Sequence, residues 1–138
     1  MKRTTHLIAA AALAALAGSP AAQAVALAPQ SYGPVTVVSG GIGVDEAAAI
    51  KQMSSRYPLR VVMSRPDGHY RVAEWLAIAR PGGSVVVEIE GAGPWVLADL
   101  PPGRYTLQAT FGGHEQRRSV VVGRDGTTVH WVVPQPPG

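Results

Sequence analysis

The segment Trp95–Phe111 constrains the fold most strongly, because it contains two short apolar runs on either side of Leu100-Pro101-Pro102-Gly103. Every second side chain of the later run is apolar: Tyr105, Leu107, Ala109 and Phe111. This alternation has the period of a half-buried β-strand. Pro102 and Gly103 suit the central positions of a type II turn, since proline fixes a negative φ and glycine supplies a positive one. The segment therefore predicts strand, tight turn and strand, with Tyr105 facing the core just after the turn.

The chain after Pro58 has the pattern of a β-sandwich. It contains about seven strand-like runs, separated by turn signals such as Pro66-Asp67-Gly68 and Pro81-Gly82-Gly83. These signals recur roughly every 8 to 12 residues, which is typical of antiparallel sandwiches and not of alternating β and α units. We therefore expect a mainly β fold, a seven-stranded antiparallel sandwich with one short helix before it.

The helix is predicted from Asp45 to about Arg56. Asp45 is the expected N-cap, Glu46 lies at the positive end of the helix dipole, and the three alanines that follow have high helix propensity. Its narrow apolar stripe consists of Ile50, Met53 and Tyr57. We expect this stripe to pack on the protein's own sheet, with docking on a partner protein as the alternative.

Residues 1–24 have the three parts of a secretory signal peptide. Lys2 and Arg3 form a basic start, Leu7–Ala17 is apolar, and Ala22-Gln23-Ala24 is an A-x-A cleavage site. The apolar run is about eleven residues long, whereas a helix that spans a bilayer needs about 20. We therefore predict an exported protein, periplasmic or secreted, with no integral membrane segment after signal removal.

The remaining chain divides into three parts. We predict a flexible leader with a candidate edge strand over residues 25–44, one helix-plus-sandwich domain over 45–133 and a disordered tail over 134–138. The chain contains no cysteine, so the domain must be held together by packing alone and not by disulfides.

The charge of the exported form argues against nucleic acid as a partner. The whole chain has 12 Lys and Arg against nine Asp and Glu, a net charge of +3. Lys2 and Arg3 belong to the predicted signal peptide, so ten basic residues remain against nine acidic ones and the net charge falls to +1. Arg117-Arg118 is the one adjacent basic pair that remains, whereas nucleic-acid binding needs a concentrated basic face.

Glu88 and Glu90 are the candidate catalytic pair. They share one side of a predicted strand and lie about 7 Å apart, given a rise of about 3.4 Å per residue. This separation is compatible with glycoside hydrolysis, although two acids on the solvent side of a strand are common. No cysteine nucleophile and no G-x-S-x-G motif is present. A hydrolase acting on envelope carbohydrate is therefore an alternative function.

His69 and His114 are the candidate metal ligands, together with Asp67 or Glu115. Both histidines adjoin predicted turns, but neither has a second His or Cys at the usual metal-ligand spacings. Solvated loop histidines are the favoured interpretation, and a weak metal-binding protein is a further alternative. No cofactor is predicted, because Gly41-Ile42-Gly43 lacks the third glycine and the GK[ST] sequence of nucleotide-binding loops.

Aromatic surface is the stronger functional lead. Trp75 and Trp131 lie in apolar alternation and are expected in the core, whereas Trp95 adjoins a turn. An exposed Trp95 would stack on a sugar ring or anchor a partner protein. The candidate partner-binding residues are Trp95, Pro94, Ile50 and Met53.

The motif Leu100-Pro101-Pro102-Gly103-x-Tyr105-x-Leu107, ahead of Phe111-Gly112 and Val120–Val122, resembles the closing part of carboxypeptidase regulatory-like domains. The resemblance implies a transthyretin (prealbumin)-like, seven-stranded Greek-key sandwich of the kind found as accessory modules in exported proteins. A narrower likeness, to a group of small uncharacterised proteobacterial periplasmic proteins, runs from about Gly40 to Val133. It rests on Gly41-x-Gly43-x-Asp45-Glu46, Tyr57-x-Leu59-Arg60, Gly93-Pro94-Trp95 and the same LPPG-x-Y motif. That group has no established activity, so the resemblance implies a fold and a compartment only.

Together these observations predict a non-catalytic exported module of the cell envelope, with a binding or structural role. Its expected partner is an envelope protein or a glycan. The sequence identifies neither the ligand nor the oligomeric state.

Overall fold

A computed structural model describes residues 27–134 of the chain. These residues form nine β-strands and one α-helix, which a single turn of 3₁₀ helix extends. In chain order the elements are β1 (Gln30–Tyr32), β2 (Val35–Gly40), α1 (Val44–Met53), the 3₁₀ turn (Ser54–Arg56), β3 (Leu59–Ser64), β4 (Ala73–Ala79), β5 (Val85–Ala92), β6 (Trp95–Ala98), β7 (Gly103–Phe111), β8 (His114–Val122) and β9 (Thr127–Val132).

The strands form two sheets with the orders β1-β2-β6-β3-β9 and β5-β4-β7-β8. The expectation of a mainly β fold with one short helix is confirmed, but the expected count of seven strands was wrong, because β1 and β2 precede the helix and join the first sheet. The pairing is also not antiparallel throughout, since β3 and β9 run parallel. These two strands are far apart in the sequence, so no hairpin turn dictates their direction.

One large hydrophobic core lies between the sheets. The inward side chains of β4 and β7, among them Leu76, Ile78 and Leu107, are fully buried. They meet inward residues of the other sheet such as Val61 and Val96. Each sheet therefore buries one face on its partner, which is how a β-sandwich removes its apolar alternation from water.

The Leu100–Tyr105 segment carries the chain from one sheet to the other. Strands flank this segment as predicted, but they belong to different sheets, and the predicted type II turn at Pro102-Gly103 was wrong. Gly103 has a φ of 153°, well beyond the value that a type II turn requires. The inward orientation of Tyr105 is confirmed, since the residue is 3% exposed and its hydroxyl donates a 2.7 Å hydrogen bond to the carbonyl oxygen of Pro101. A tyrosine that bonds back to the backbone across a corner in this way is known from other sandwiches.

Helix α1 begins one residue earlier than predicted, and Gly43, not Asp45, is its N-cap. Gly43 has a φ of 86°, a left-handed conformation that glycine adopts without strain. Asp45 and Glu46 lie in the first turn. The Glu46 carboxylate accepts hydrogen bonds from the backbone N–H groups of Gly41 (2.8 Å) and Ile42 (3.2 Å), so it caps the chain just ahead of the helix.

The apolar stripe of α1 packs on the outer face of the five-stranded sheet. Ile50 is fully buried there against Val38 and Leu97, which belong to β2 and β6. Met53, Tyr57 and Trp95 border the same cluster and are partly buried. The helix therefore packs on the protein's own sheet, as its short stripe suggested.

The predicted segments outside the domain fall as follows. Residues 1–24, the predicted signal peptide, lie outside the described residues, as do residues 135–138 of the predicted tail. Within residues 25–44, β1 occupies the edge of its sheet, and β2 lies between β1 and β6. Among residues 27–134 no helix combines the length and the apolar character needed to cross a bilayer.

The Tyr105 hydroxyl gives a direct test of the corner between the sheets. Tyr105→Phe should lower the free energy of unfolding by about 1 kcal/mol, because it removes one hydrogen bond at a partly buried position. Tyr70→Phe is the matched control, since Tyr70 is 45% exposed and should show almost no change. Urea unfolding followed by tryptophan fluorescence measures both, and equal values for the two variants would contradict the role given to Tyr105.

Candidate functional site

The outer face of the four-stranded sheet is its solvent side, and we call it the β4 face. Strand registers define it: Trp75 lies opposite Glu90 and Thr110, and Ala77 lies opposite Glu88 and Gln108. The described residues contain no helix that covers this face, whereas α1 covers part of the outer face of the other sheet. The side chains on the β4 face are Trp75, Ala77, Ala79, Glu88, Glu90, Thr106, Gln108, Thr110, Glu115, Arg117, Ser119 and, at the far end, Arg104 and Val121.

Trp75 is the one large aromatic side chain among those of the β4 face. It is half-buried, and its indole Nε1–H donates a 2.8 Å hydrogen bond to Oε2 of Glu88. Glu88 is directly opposite Ala77, two residues along from Trp75, so the indole must extend along the sheet towards Ala77. Ala77 is only 2% exposed although it lies on the solvent side, and its cover comes from side chains of the same face. The hydrogen bond thus fixes the orientation of an indole that remains partly open to solvent.

A groove of about 250 Å³ runs along β4 beside this tryptophan. Its floor is lined by the small side chains of Ala77, which is almost fully covered, and Ala79, which is partly exposed, and Trp75 stands at one end. The turn Arg80–Gly83 borders the other end, and β7 and β8 line the side through Thr106, Gln108 and Arg117. Two alanines in succession on one face of a central strand leave this depression, because their neighbours on both sides are larger.

A second cavity continues the groove across the sheet. It has a volume of about 330 Å³ and shares Pro81 and Thr106 with the groove. Its lining includes Ser119 and Val121 of the edge strand β8. Val121 is 61% exposed, so the far end of the β4 face is apolar as well as uncovered.

The charges of the β4 face balance one another. Three exposed carboxylates lie on it, those of Glu88, Glu90 and Glu115. Three exposed guanidinium groups border the two cavities, those of Arg80, Arg104 and Arg117. Among residues 27–134, the side chains of Thr106, Gln108 and Arg117 make no hydrogen bond or ion pair with another side chain or with the backbone. Their donors and acceptors are therefore available to a ligand.

A larger cleft, of about 440 Å³, lies between the β1–β2 edge of one sheet and β5 of the other. Its polar groups are largely engaged within the protein. The hydroxyl of Tyr32 donates to Gln30, the hydroxyl oxygen of Ser39 accepts from the N–H of Gly93 (2.8 Å), and Glu46 caps the chain before α1. The cleft is thus less suited to a polar ligand than its volume suggests.

Three of the four predicted partner-binding residues, Ile50, Met53 and Trp95, belong to the cluster under α1, and none of the four is on the β4 face. Ile50 and Pro94 are buried, and Met53 and Trp95 are partly buried. The Nε1 atom of Trp95 is itself buried, without a hydrogen-bond partner in the described part of the chain. A partner could contact Ile50 only after the helix had moved, and Pro94 presents almost no surface to one.

The tryptophan that faces a groove is Trp75, which was expected in the core. Trp131 is buried as expected, at 3% exposure, and packs edge-on against Phe111 with ring centroids 5.7 Å apart. The alternation of β4 contained the signal that distinguishes them. Leu76 and Ile78 are the large aliphatic residues of that strand and lie on the core face. The alternation then places Trp75 with the small alanines on the other face.

The candidate catalytic and metal residues are placed as follows. Glu88 and Glu90 are both exposed on edge strand β5, next to the groove but not among the residues that line it. His69 and Asp67 form a contact of 3.1 Å in the β3–β4 connection, and His114 and Glu115 begin β8. Within residues 27–134, no three His, Cys, Asp or Glu side chains come together as a metal site.

Asp67 has a perturbed acidity that arises from its own turn. Its carboxylate accepts hydrogen bonds from Nη2 (2.6 Å) and Nε (3.2 Å) of Arg65 and from the backbone N–H of His69 (3.1 Å). The Arg65 bonds, followed by the His69 backbone bond, hold the pKa of Asp67 well below its usual range. This is the pattern of a turn held by a charged side chain, since every donor belongs to the same five-residue segment.

Comparisons of the chain with protein-family models, curated proteins and solved structures gave no match. The assignment of a function therefore depends on this chain's own residues. Among the described surfaces, the β4 face is the one that combines a fixed aromatic ring, an open groove and unengaged polar side chains.

The acidity of Asp67 predicts how its turn responds to pH. Because its pKa is lower in the folded than in the unfolded chain, the carboxylate stabilises the fold above its ordinary pKa of 3.8, and this contribution is lost as the pH falls through the lowered value. Arg65→Ala should raise the pKa of Asp67 towards 3.8, measured by NMR titration of the side-chain carboxyl carbon. Arg124→Ala, in the β8–β9 turn, is the control and should leave the Asp67 titration where it was.

Proposed function

We propose that the protein is a non-catalytic exported binding module of the cell envelope and that it binds its ligand on the β4 face. The observation that carries this proposal is the Trp75–Glu88 hydrogen bond beside an uncovered groove. The hydrogen bond already orders this partly exposed tryptophan before a ligand arrives. Its side chain therefore loses little conformational entropy on binding, and more of its stacking energy contributes to affinity.

The supporting argument from packing is a contrast between the two sheets. The outer face of the five-stranded sheet buries apolar side chains under α1, and its tryptophan, Trp95, belongs to that small cluster. The β4 face keeps a tryptophan and a run of alanines without such a layer. Large aromatic residues that face solvent beside a depression are typical of binding surfaces and not of inert ones.

We further propose that the fold is of the transthyretin-like, Greek-key type. Seven strands, β3 to β9, follow the helix, and they divide into the sheets β6-β3-β9 and β5-β4-β7-β8. The chain leaves β5, passes through β6 in the other sheet and returns to β7, which pairs with β4. Strands β1 and β2 are then additions beside β6. The LPPG-x-Y corner, with Tyr105 bonded to Pro101, supports the same relationship.

The arrangement of Glu88 and Glu90 favours a binding module over the hydrolase alternative. A glycosidase places its two carboxyl groups on either side of the scissile bond. Here both acids come from one strand, they flank the groove without lining it, and Glu88 already accepts the indole N–H of Trp75. A structural role for Glu88, which orients the tryptophan, accounts for its position.

Export itself is tested by fractionation. We expect the protein in the periplasm or the medium, with Val25 as its first residue, because cleavage at an A-x-A site follows Ala24. Immunoblotting of cell fractions and N-terminal sequencing of the isolated protein measure both properties. Retention of the first 24 residues in a membrane fraction would contradict this part of the proposal.

The binding face is tested with the three tryptophan indole N–H signals in NMR spectra. On titration of the isolated protein with a soluble envelope extract, the Trp75 signal should shift, whereas the Trp95 and Trp131 signals should change little because both rings pack against other elements. Trp75→Ala should abolish the response of the backbone amides of the β4 face.

The same titration contains its own counter-outcomes. Shifts confined to Tyr32, Ser39 and Gly40 would place binding in the cleft between the sheets and reject the β4 face. Glu90→Gln serves as the test for catalysis, because Glu90 does not line the groove. If the native protein produces cleaved glycan and Glu90→Gln does not, the hydrolase is favoured.

A further inference from the structure

We infer that the ligand of the β4 face is a neutral glycan chain, whose sugar rings lie along β4 with one ring stacked on Trp75. This inference rests on the proposed function, because it names the class of ligand that the same face would take. The features that support it are the aromatic ring, the planar polar side chains, the charge balance and the hydrogen-bonding of the β4 backbone to both neighbouring strands.

The first feature is the indole of Trp75. A pyranose ring has a face of C–H bonds, and an aromatic ring with a negative face attracts it while excluding water from both. The Glu88 hydrogen bond holds the indole along the sheet, so that the ring need not be ordered when a sugar arrives. A flexible aromatic side chain on a loop would lack this advantage.

The second feature is the chemistry of the side chains beside the ring. Gln108 offers both donors and acceptors on a planar amide, and Arg117, directly opposite it on β8, offers a planar fork of donors. Thr106 lies two residues from Gln108 on the same face and adds a hydroxyl. Groups of this kind bond to adjacent hydroxyls in pairs, and a sugar presents hydroxyls all around its ring.

The third feature is charge. The three carboxylates and three guanidinium groups in and around the face leave no excess of either sign. A phosphate-rich ligand would require a concentrated basic surface, and a basic ligand would require an acidic one. A neutral, hydroxyl-rich ligand needs neither, so the charge balance favours an uncharged glycan.

The fourth feature excludes an extended peptide on this floor. Peptides that bind as added strands need unpaired backbone groups at a sheet edge. Strand β4 is paired on both sides, with β5 and with β7, so its backbone donors and acceptors are already used. Recognition along the groove must therefore come from side chains, which suits a ligand whose polar groups point outwards in several directions.

The dimensions of the groove indicate a chain and not a single sugar. From Trp75 to Ala79 the strand rises by about 14 Å, at about 3.4 Å per residue. The second cavity extends the surface beyond Thr106 towards β8. A ligand that fills both must be extended, with its first ring on Trp75, whose indole reaches towards Ala77, and later rings over Ala79 and the second cavity.

The test uses an array of neutral hexose and N-acetylhexosamine oligosaccharides as probes, followed by NMR titration with those that bind. We expect the Trp75 indole signal to shift with at least one oligosaccharide. Trp75→Ala should weaken the affinity about tenfold, as expected for the loss of an aromatic stacking contact, and Trp75→Phe should recover part of it. Ala79→Gln should weaken binding by filling the groove, and Tyr70→Ala, which removes an exposed aromatic elsewhere, should not.

Three results would overturn the inference. One is the absence of binding to every neutral oligosaccharide. Another is binding of equal strength by Trp75→Ala. The third is a shift of the β4 face that depends on protein concentration alone, which would make a second copy of the chain the occupant.

A companion titration separates this inference from the proposed function. The envelope extract is oxidised with periodate, which destroys vicinal diols, before it is added to the protein. If the untreated extract shifts Trp75 and the oxidised one does not, both proposals stand. If both extracts shift it, the binding face stands and the glycan is rejected; if neither does, the binding face itself is rejected.

Discussion

The passage of the chain from β6 to β7 is the constraint on which the rest of the structure depends. Leu100 and Tyr105 are both buried at this corner, and the bond from the Tyr105 hydroxyl to Pro101 holds its two ends in one arrangement. Because side chains alternate along a strand, this orientation fixes the face on which each later side chain of β7 lies. With Tyr105 inward, Thr106 and Gln108 must face outward, and they pair across the sheet with Ala79 and Ala77 of β4. A corner in the core thus sets the side chains that line the groove outside it.

The two outer faces of the sandwich differ because residues 27–134 contain a single α-helix. Helix α1 and its cap, Glu46, are built from the segment between β2 and β3, both in the five-stranded sheet, so the helix packs on that sheet. The four-stranded sheet has hairpin connections, β4–β5 and β7–β8, that are too short to provide a cover. Its outer face is consequently exposed to water, and most of its side chains are polar. The exceptions are Trp75, the two alanines at the floor of the groove and the apolar far end. These exceptions form the candidate site.

Sequence patterns predicted the mainly β class, the helix and the inward direction of Tyr105, since each depends on a local period or a local turn residue. They did not predict that β6 and β7 belong to different sheets, because a proline-glycine sequence fits a hairpin and a crossing equally well. The parallel pairing of β3 with β9 depends on contacts between residues about seventy positions apart, which no local pattern encodes. For the site, the sequence pattern favoured Trp95 as the exposed tryptophan because a turn precedes it. The relative sizes of Leu76, Ile78 and the alanines of β4 would have placed Trp75 outside instead, because large aliphatic side chains take the core face when a strand must divide its residues between two faces.

The pairing of β9 with β3 has a consequence for the order of events during synthesis. Strand β9 is the last element of the domain, and β3 has no other neighbour on that side, so the five-stranded sheet stays incomplete until the final residues are available. Contacts between distant parts of a chain form slowly, because a long loop must close before they contribute any stability. The five-stranded sheet is therefore completed only once Thr127–Val132 is available to pair with β3, so its closure is a late step in forming the domain.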